Sequence, residues 1–174
     1  MASRFTIALG ALVLAACGGD DSNGAREPTY ENVEATLAVS CAFSATCHGG
    51  ASRGQADLNI QTAMGDGTLL DQLLLPSCEY SRMPRVDPGN PDNSWLMVKI
   101  TAPHDPSSGA IEFTPDADWV PDAGGHPDAL CPLMRGGELY FGTIMPQVTP
   151  FDGPPPEDVE MIRQWIEMGA PGPM

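Results

Sequence analysis

Apolar residues recur along this chain in short, helix-spaced groups separated by polar, proline-rich stretches. After residue 28 the first group is Tyr30, Val33, Leu37 and Cys41, spaced three, four and four apart. That spacing puts all four on one face and predicts a helix over 29–42. Pro28 and Thr29 open it, and Glu31 meets the positive end of the helix dipole. Leu58 and Ile60 alternate over a short extended piece. Met64, Leu69, Leu70, Leu73 and Leu74 predict a second helix over 62–75, interrupted by Gly65 and Gly67. A third helix, Trp95 to Thr101, is opened by Pro91 and Asp92. Residues 102–142 form an irregular insertion with two short strands predicted at Ile111–Thr114 and Glu138–Phe141. The last group, Val159, Ile162, Trp165 and Ile166, follows acidic Glu157 and Asp158 and ends at Gly169, which predicts a capped C-terminal helix. These elements predict a mainly α fold: a small helical domain with long loops and a short hairpin.

The N-terminus has a different pattern. Arg4 precedes an apolar stretch from Phe5 to Ala16, and Leu14-Ala15-Ala16-Cys17 follows the lipobox pattern of a leucine and two small residues before a cysteine. The run is too short to span a bilayer and suits a signal peptide. Residues 1–16 are thus expected to be a lipoprotein signal, with Cys17 the lipidation site. Residues 17–28 read as a flexible tether, and 29–170 as the folded domain. Several acyl chains on one cysteine anchor stably, at about 0.8 kcal/mol per buried methylene. The expected location is the cell envelope, at the periplasmic or outer-membrane surface.

Composition narrows the function. The net charge is −15, and loss of Arg4 with the signal makes the chain one unit more negative. Such a surface repels phosphate, which excludes nucleic acid as a partner and points to a protein partner with a basic docking face. Lipidation of Cys17 leaves Cys41, Cys47, Cys78 and Cys131, an even set in an oxidising compartment. Four cysteines allow three disulfide connectivities, and the sequence does not choose among them. There is no Gly-x-Ser-x-Gly, no phosphate loop and no nucleophile–base pair, so a catalyst is not expected. The cysteine spacing fits no common zinc knuckle. Asp116, Asp118 and Asp122 lack the register of a calcium loop.

Cys41, Cys47 and His48 carry the sharpest chemical signal. Two thiols with a histidine beside the second are what covalent haem attachment requires: two thioethers and one iron ligand. Here five residues separate the thiols where two are usual. Met145-Pro146, ahead of the last helix, offers a soft sulfur ligand. Met83 also precedes a proline and competes with it, and His104 and His126 are further candidates. In the bland reading, Cys41 and Cys47 are disulfide-bonded, to each other or to Cys78 and Cys131, and the methionines fill the core.

The order Cys47-His48-Gly49-Gly50, Ala56-Asp57-Leu58, Val86-Asp87-Pro88-Gly89-Asn90-Pro91-Asp92-Asn93-Ser94-Trp95-Leu96, Met145-Pro146 and Trp165-Ile166-Glu167-Met168-Gly169-Ala170 resembles the small cytochrome c-like domains of bacterial secreted proteins. The resemblance spans roughly residues 33–170. It implies haem c as cofactor, with Cys41 and Cys47 as thioether sites and His48 and Met145 as axial ligands. It also implies a membrane-anchored electron carrier. Under that reading Cys78 and Cys131 remain as a disulfide pair, contributing about 3–4 kcal/mol by loop entropy. The alternative is a haem-free, disulfide-stapled interaction module of the same fold.

Overall fold

Thr29 is extended (φ −102°, ψ 157°), and its hydroxyl accepts from the Asn32 amide at 3.3 Å. That bond satisfies one of the unpaired donors of the first turn, which is why the helix starts there. The computed structural model describes residues 26–42, 47–50, 56, 58–63, 68–119, 134–147 and 152–173. Cys17, the expected signal segment 1–16, Asp122, His126 and Cys131 lie outside the described residues. Helix α1 is Tyr30–Cys41, α2 Ile60–Ala63, α3 Thr68–Leu73, α4 Trp95–Thr101 and α5 Pro156–Glu167. A 3-10 turn at Pro91–Asn93 leads into α4. Strands β1 (Met134–Arg135) and β2 (Glu138–Leu139) form one antiparallel hairpin. Among the described residues, helix outweighs strand.

Most boundaries follow local chemistry. Leu58 to Ile60 was expected to be extended. Instead Ile60 begins α2, because the Asn59 side chain accepts from the Thr62 amide at 3.1 Å and acts as a cap. The helix expected over 62–75 is two pieces, α2 and α3, and residues 64–67 are not described. The strand expected at Ile111–Thr114 is absent: Ile111 makes a single bridge with His104, and Phe113 turns into an aromatic cluster. The strand expected at Glu138–Phe141 is shorter, Glu138–Leu139, and pairs with Met134–Arg135 across Gly136 and Gly137, both at positive φ (63° and 92°), as a tight two-residue hairpin turn requires.

Two cores result. In the larger, α1 packs on α5 and α5 on α4, burying Val33, Leu37, Ile162, Trp165 and Ile166 among others. Helix α5 ends in a paired cap: the Gly169 amide donates to the Ile166 carbonyl and the Ala170 amide to Trp165, each at 2.9 Å. The Trp165 indole donates to Pro171 at 2.9 Å. The turn before α4 docks on the same helix, since the Gly89 amide donates to the Ile166 carbonyl at 2.7 Å. The smaller core gathers Tyr80, Trp95 and Phe141, with Phe113 and Trp119 against them. The residues expected to be tether are already engaged at Arg26, whose guanidinium donates to Thr36 at 3.2 Å and pairs with Asp158 at 3.3 Å.

Trp165→Ala should destabilise the fold by about 3–5 kcal/mol, since the side chain is 0% exposed and a cavity would remain. Val39→Ser, at a residue 79% exposed, should change stability by less than about 0.5 kcal/mol. Urea unfolding of the two variants measures the contrast.

Candidate functional site

Cys41 is the last residue of α1, and the helix stripe carries it into the interior. Its carbonyl accepts from the His48 amide at 3.1 Å, which brings the histidine back beside the helix end. The His48 carbonyl accepts from the Ile60 amide at 2.8 Å, so the histidine is held between α1 and α2. Its ring is buried, with Nδ1 at 3.2 Å from the Leu58 carbonyl. A carbonyl only accepts, so in this hydrogen bond Nδ1 carries the hydrogen. This arrangement fixes the tautomer of many metal-ligating histidines.

Cys41, His48 and Met145 line one narrow cleft, with an enclosed volume of about 50 Å³. Leu37, Leu58, Ile60, Leu73 and Leu96 make its walls apolar. Met145 is half-buried, and its amide donates to the Lys99 carbonyl at the end of α4, at 2.7 Å. Of the competing ligands, Met83 packs on the aromatic core. His104 faces a separate depression with Asp152 and Glu160, its Nδ1 at 3.0 Å from the Ala102 carbonyl.

Cys41 and Cys47 are thiols and not a disulfide, which corrects the bland reading at these two positions. Burial pushes the Cys41 thiol up to about 12, the nearby Cys47 adds to the rise, and Lys99 opposes it. Cys41 is therefore uncharged at neutral pH. Cys78 is disulfide-bonded, while its expected partner Cys131 lies outside the described residues.

Three charged residues in the cleft wall carry no sequence motif. Arg85 is buried and donates to the Gln72 carbonyl at 2.7 Å and to the Ala56 carbonyl at 2.8 Å. The Lys99 ammonium sits 3.3 Å from both a Glu79 carboxylate oxygen and the Phe141 carbonyl. The other Glu79 oxygen accepts from the Trp95 indole at 3.1 Å. Gly142 makes room for this group, because a Cβ there would stand 2.6 Å from the Lys99 nitrogen. The signal in the sequence was a lysine inside the apolar run Trp-Leu-Met-Val-Lys-Ile.

Asp116 and Asp118, weighed above as calcium ligands, are engaged by Arg82 at 3.0 and 2.6 Å. Among the described residues no group of three or more His, Cys, Asp or Glu side chains is arranged to hold a metal ion by itself. No family model, curated protein or solved structure matches the chain.

The raised Cys41 value has a sign that can be checked. The folded state disfavours the thiolate, so its contribution to stability is complete below pH 9, the ordinary thiol value, and is lost as pH rises toward about 12. Urea unfolding between about pH 8 and 11 should show stability falling more steeply in the wild type than in Cys41→Ala. Equal slopes would mean that the thiol is not buried.

Proposed function

We propose that the chain is a lipid-anchored electron carrier of the cell envelope that holds a c-type haem in the cleft beside α1. The observation that carries this reading is the convergence of Cys41, His48 and Met145 on one apolar cleft, with His48 Nδ1 hydrogen-bonded to the Leu58 carbonyl. Three features of these residues support the group, although Cys47 does not itself line the cleft and the group is larger than the space enclosed there. Cys41 and Cys47 are thiols, the form that adds to a vinyl group. A nitrogen from His48 and a sulfur from Met145 would be suitable ligands for its iron. Among the lining residues, Arg85 and Lys99 outnumber Glu79, which suits a porphyrin bearing two carboxylates even though the chain is strongly acidic.

When bound, the iron supplies one-electron chemistry by cycling between its ferrous and ferric forms. The chain does the rest. Cys41 and Cys47 hold the group covalently, so it is not lost when the protein meets its partner. The Leu58 carbonyl orients His48 and makes its ring a stronger donor. Met145 supplies a sulfur that favours the reduced state. The apolar walls keep water from the cleft and raise the potential further. Lipid on Cys17 keeps the carrier at the membrane, where a redox partner with a basic docking face meets its acidic surface. The haem-free, disulfide-stapled module loses support, because Cys41 and Cys47 are thiols.

The test is expression with the haem-attachment machinery, followed by a visible spectrum and denaturing electrophoresis. The expected protein is coloured, with haem that stays bound to the polypeptide, and Cys41→Ala/Cys47→Ala releases it. Met145→Ala should keep the covalent haem and lower the reduction potential. A colourless, folded protein from the same host would refute the proposal.

A further inference from the structure

Trp95 belongs to both cores: it lines the cleft, and its ring centroid lies 5.9 Å from that of Tyr80. Tyr80 in turn lies 5.0 Å from Trp119, which is half-exposed. Phe113 closes the gap between them, 5.0 Å from Trp95 and 5.1 Å from Tyr80. A continuous file of oxidisable rings thus runs from the cleft wall to the surface. Packing alone explains aromatic contacts, since such pairs contribute about 0.5–1.5 kcal/mol each. It does not explain the polar end of the file.

The Tyr80 ring is 3% exposed, yet its hydroxyl donates to the Asp116 carboxylate at 2.8 Å. Hydrogen bonds from Tyr80 and Arg82 hold Asp116 below the usual carboxylate range, so it is ionised and able to accept. Burial, then the bond to Asp116, raises Tyr80 above the ordinary phenol value. The Asp116 side chain is itself exposed, so a proton placed on it passes to water. A buried phenol cannot lose an electron readily unless its proton has somewhere to go, and here the acceptor is in place.

We infer that Tyr80 is a second redox site, a tyrosine oxidised with transfer of its proton to Asp116 and connected to the cleft by Trp95 and to the surface by Trp119. In the step, one electron leaves the Tyr80 ring for the oxidant, the O–H bond breaks, and the proton moves to the Asp116 carboxylate. The product is a neutral tyrosyl radical, and the oxidant is reduced by one electron. The oxidant is of the high-potential metal-complex class, either an iron porphyrin exposed to peroxide or an added ruthenium(III) polypyridyl. The use we assign to the site rests on the haem reading. Oxidising equivalents that reach Tyr80 are drawn away from the sulfurs of Met145 and Cys41, which oxidise to polar products.

The test does not need haem. The full chain is illuminated with ruthenium(II) tris-bipyridine and a sacrificial electron acceptor, frozen, and examined by electron paramagnetic resonance. The wild type should give a tyrosyl signal, which persists in Tyr30→Phe/Tyr140→Phe, where Tyr80 is the only tyrosine left. Tyr80→Phe added to that variant should abolish it. Asp116→Asn, which keeps a hydrogen-bond acceptor but cannot take up the proton, should reduce it several-fold. A signal that survives the added Tyr80→Phe, or an undiminished yield in Asp116→Asn, would overturn the inference. Should Tyr80→Phe fail to fold, absence of signal from the Tyr30→Phe/Tyr140→Phe variant overturns it equally. Because the oxidant is added, a colourless protein that forms the Tyr80 radical would refute the haem reading and still support this site.

Discussion

The apolar stripe of α1 packs against α5 along Val33 and Leu37, and its last turn lines the cleft with Leu37 and Cys41. One helix face therefore serves core and site together. The Cys41 carbonyl then fixes where His48 begins, and the His48 carbonyl fixes where α2 begins. Loosening α1 from α5 would move the cysteine, the histidine and the cleft wall at once. The same burial keeps the Cys41 thiol protonated, so its reactivity is a consequence of how the domain packs.

Buried charge is the second organising element. Arg85 joins backbone carbonyls at Gln72 and Ala56, two points distant in sequence on the rim of the cleft. Glu79 is joined to α4 by the Trp95 indole and the Lys99 ammonium, and Lys99 also reaches the Phe141 carbonyl. These groups are stable only as complete sets, because removing one partner of a buried pair leaves the other uncompensated at a cost of about 3–5 kcal/mol. They therefore tie together loops whose glycines and prolines would not hold a shape by themselves. They also make the cleft locally cationic in a chain with a net charge of −15.

The helices were legible because their signals are local. The face of α1, the start of α4 and both ends of α5 follow from spacing, a cap residue, prolines and Gly169. Two features escaped because they depend on contacts distant in sequence. The capping of α2 by Asn59 competes with an alternating pattern that looked extended. The strand expected at Ile111 gave way because Phe113 finds its place among rings contributed by residues 80, 95 and 141. The candidate site divides in the same way. Cys41, His48 and Met145 were marked by motif and neighbours, and the fold brings them to one cleft. Arg85, Glu79 and Lys99 have no motif, and their roles appear only once the carbonyls and the carboxylate they meet are in place.

If, as proposed, lipid on Cys17 holds the chain at a membrane, the clamp of Arg26 on Thr36 and Asp158 has a mechanical consequence. Residues 18–25 alone would then lie between the anchor and the clamped arginine. A segment of that length reaches at most about 29 Å when fully drawn out. Every encounter would then take place in a layer little thicker than the domain itself. Partners in the same membrane are met at a local concentration set by that reach, so transfer can be fast while binding stays weak enough for quick release.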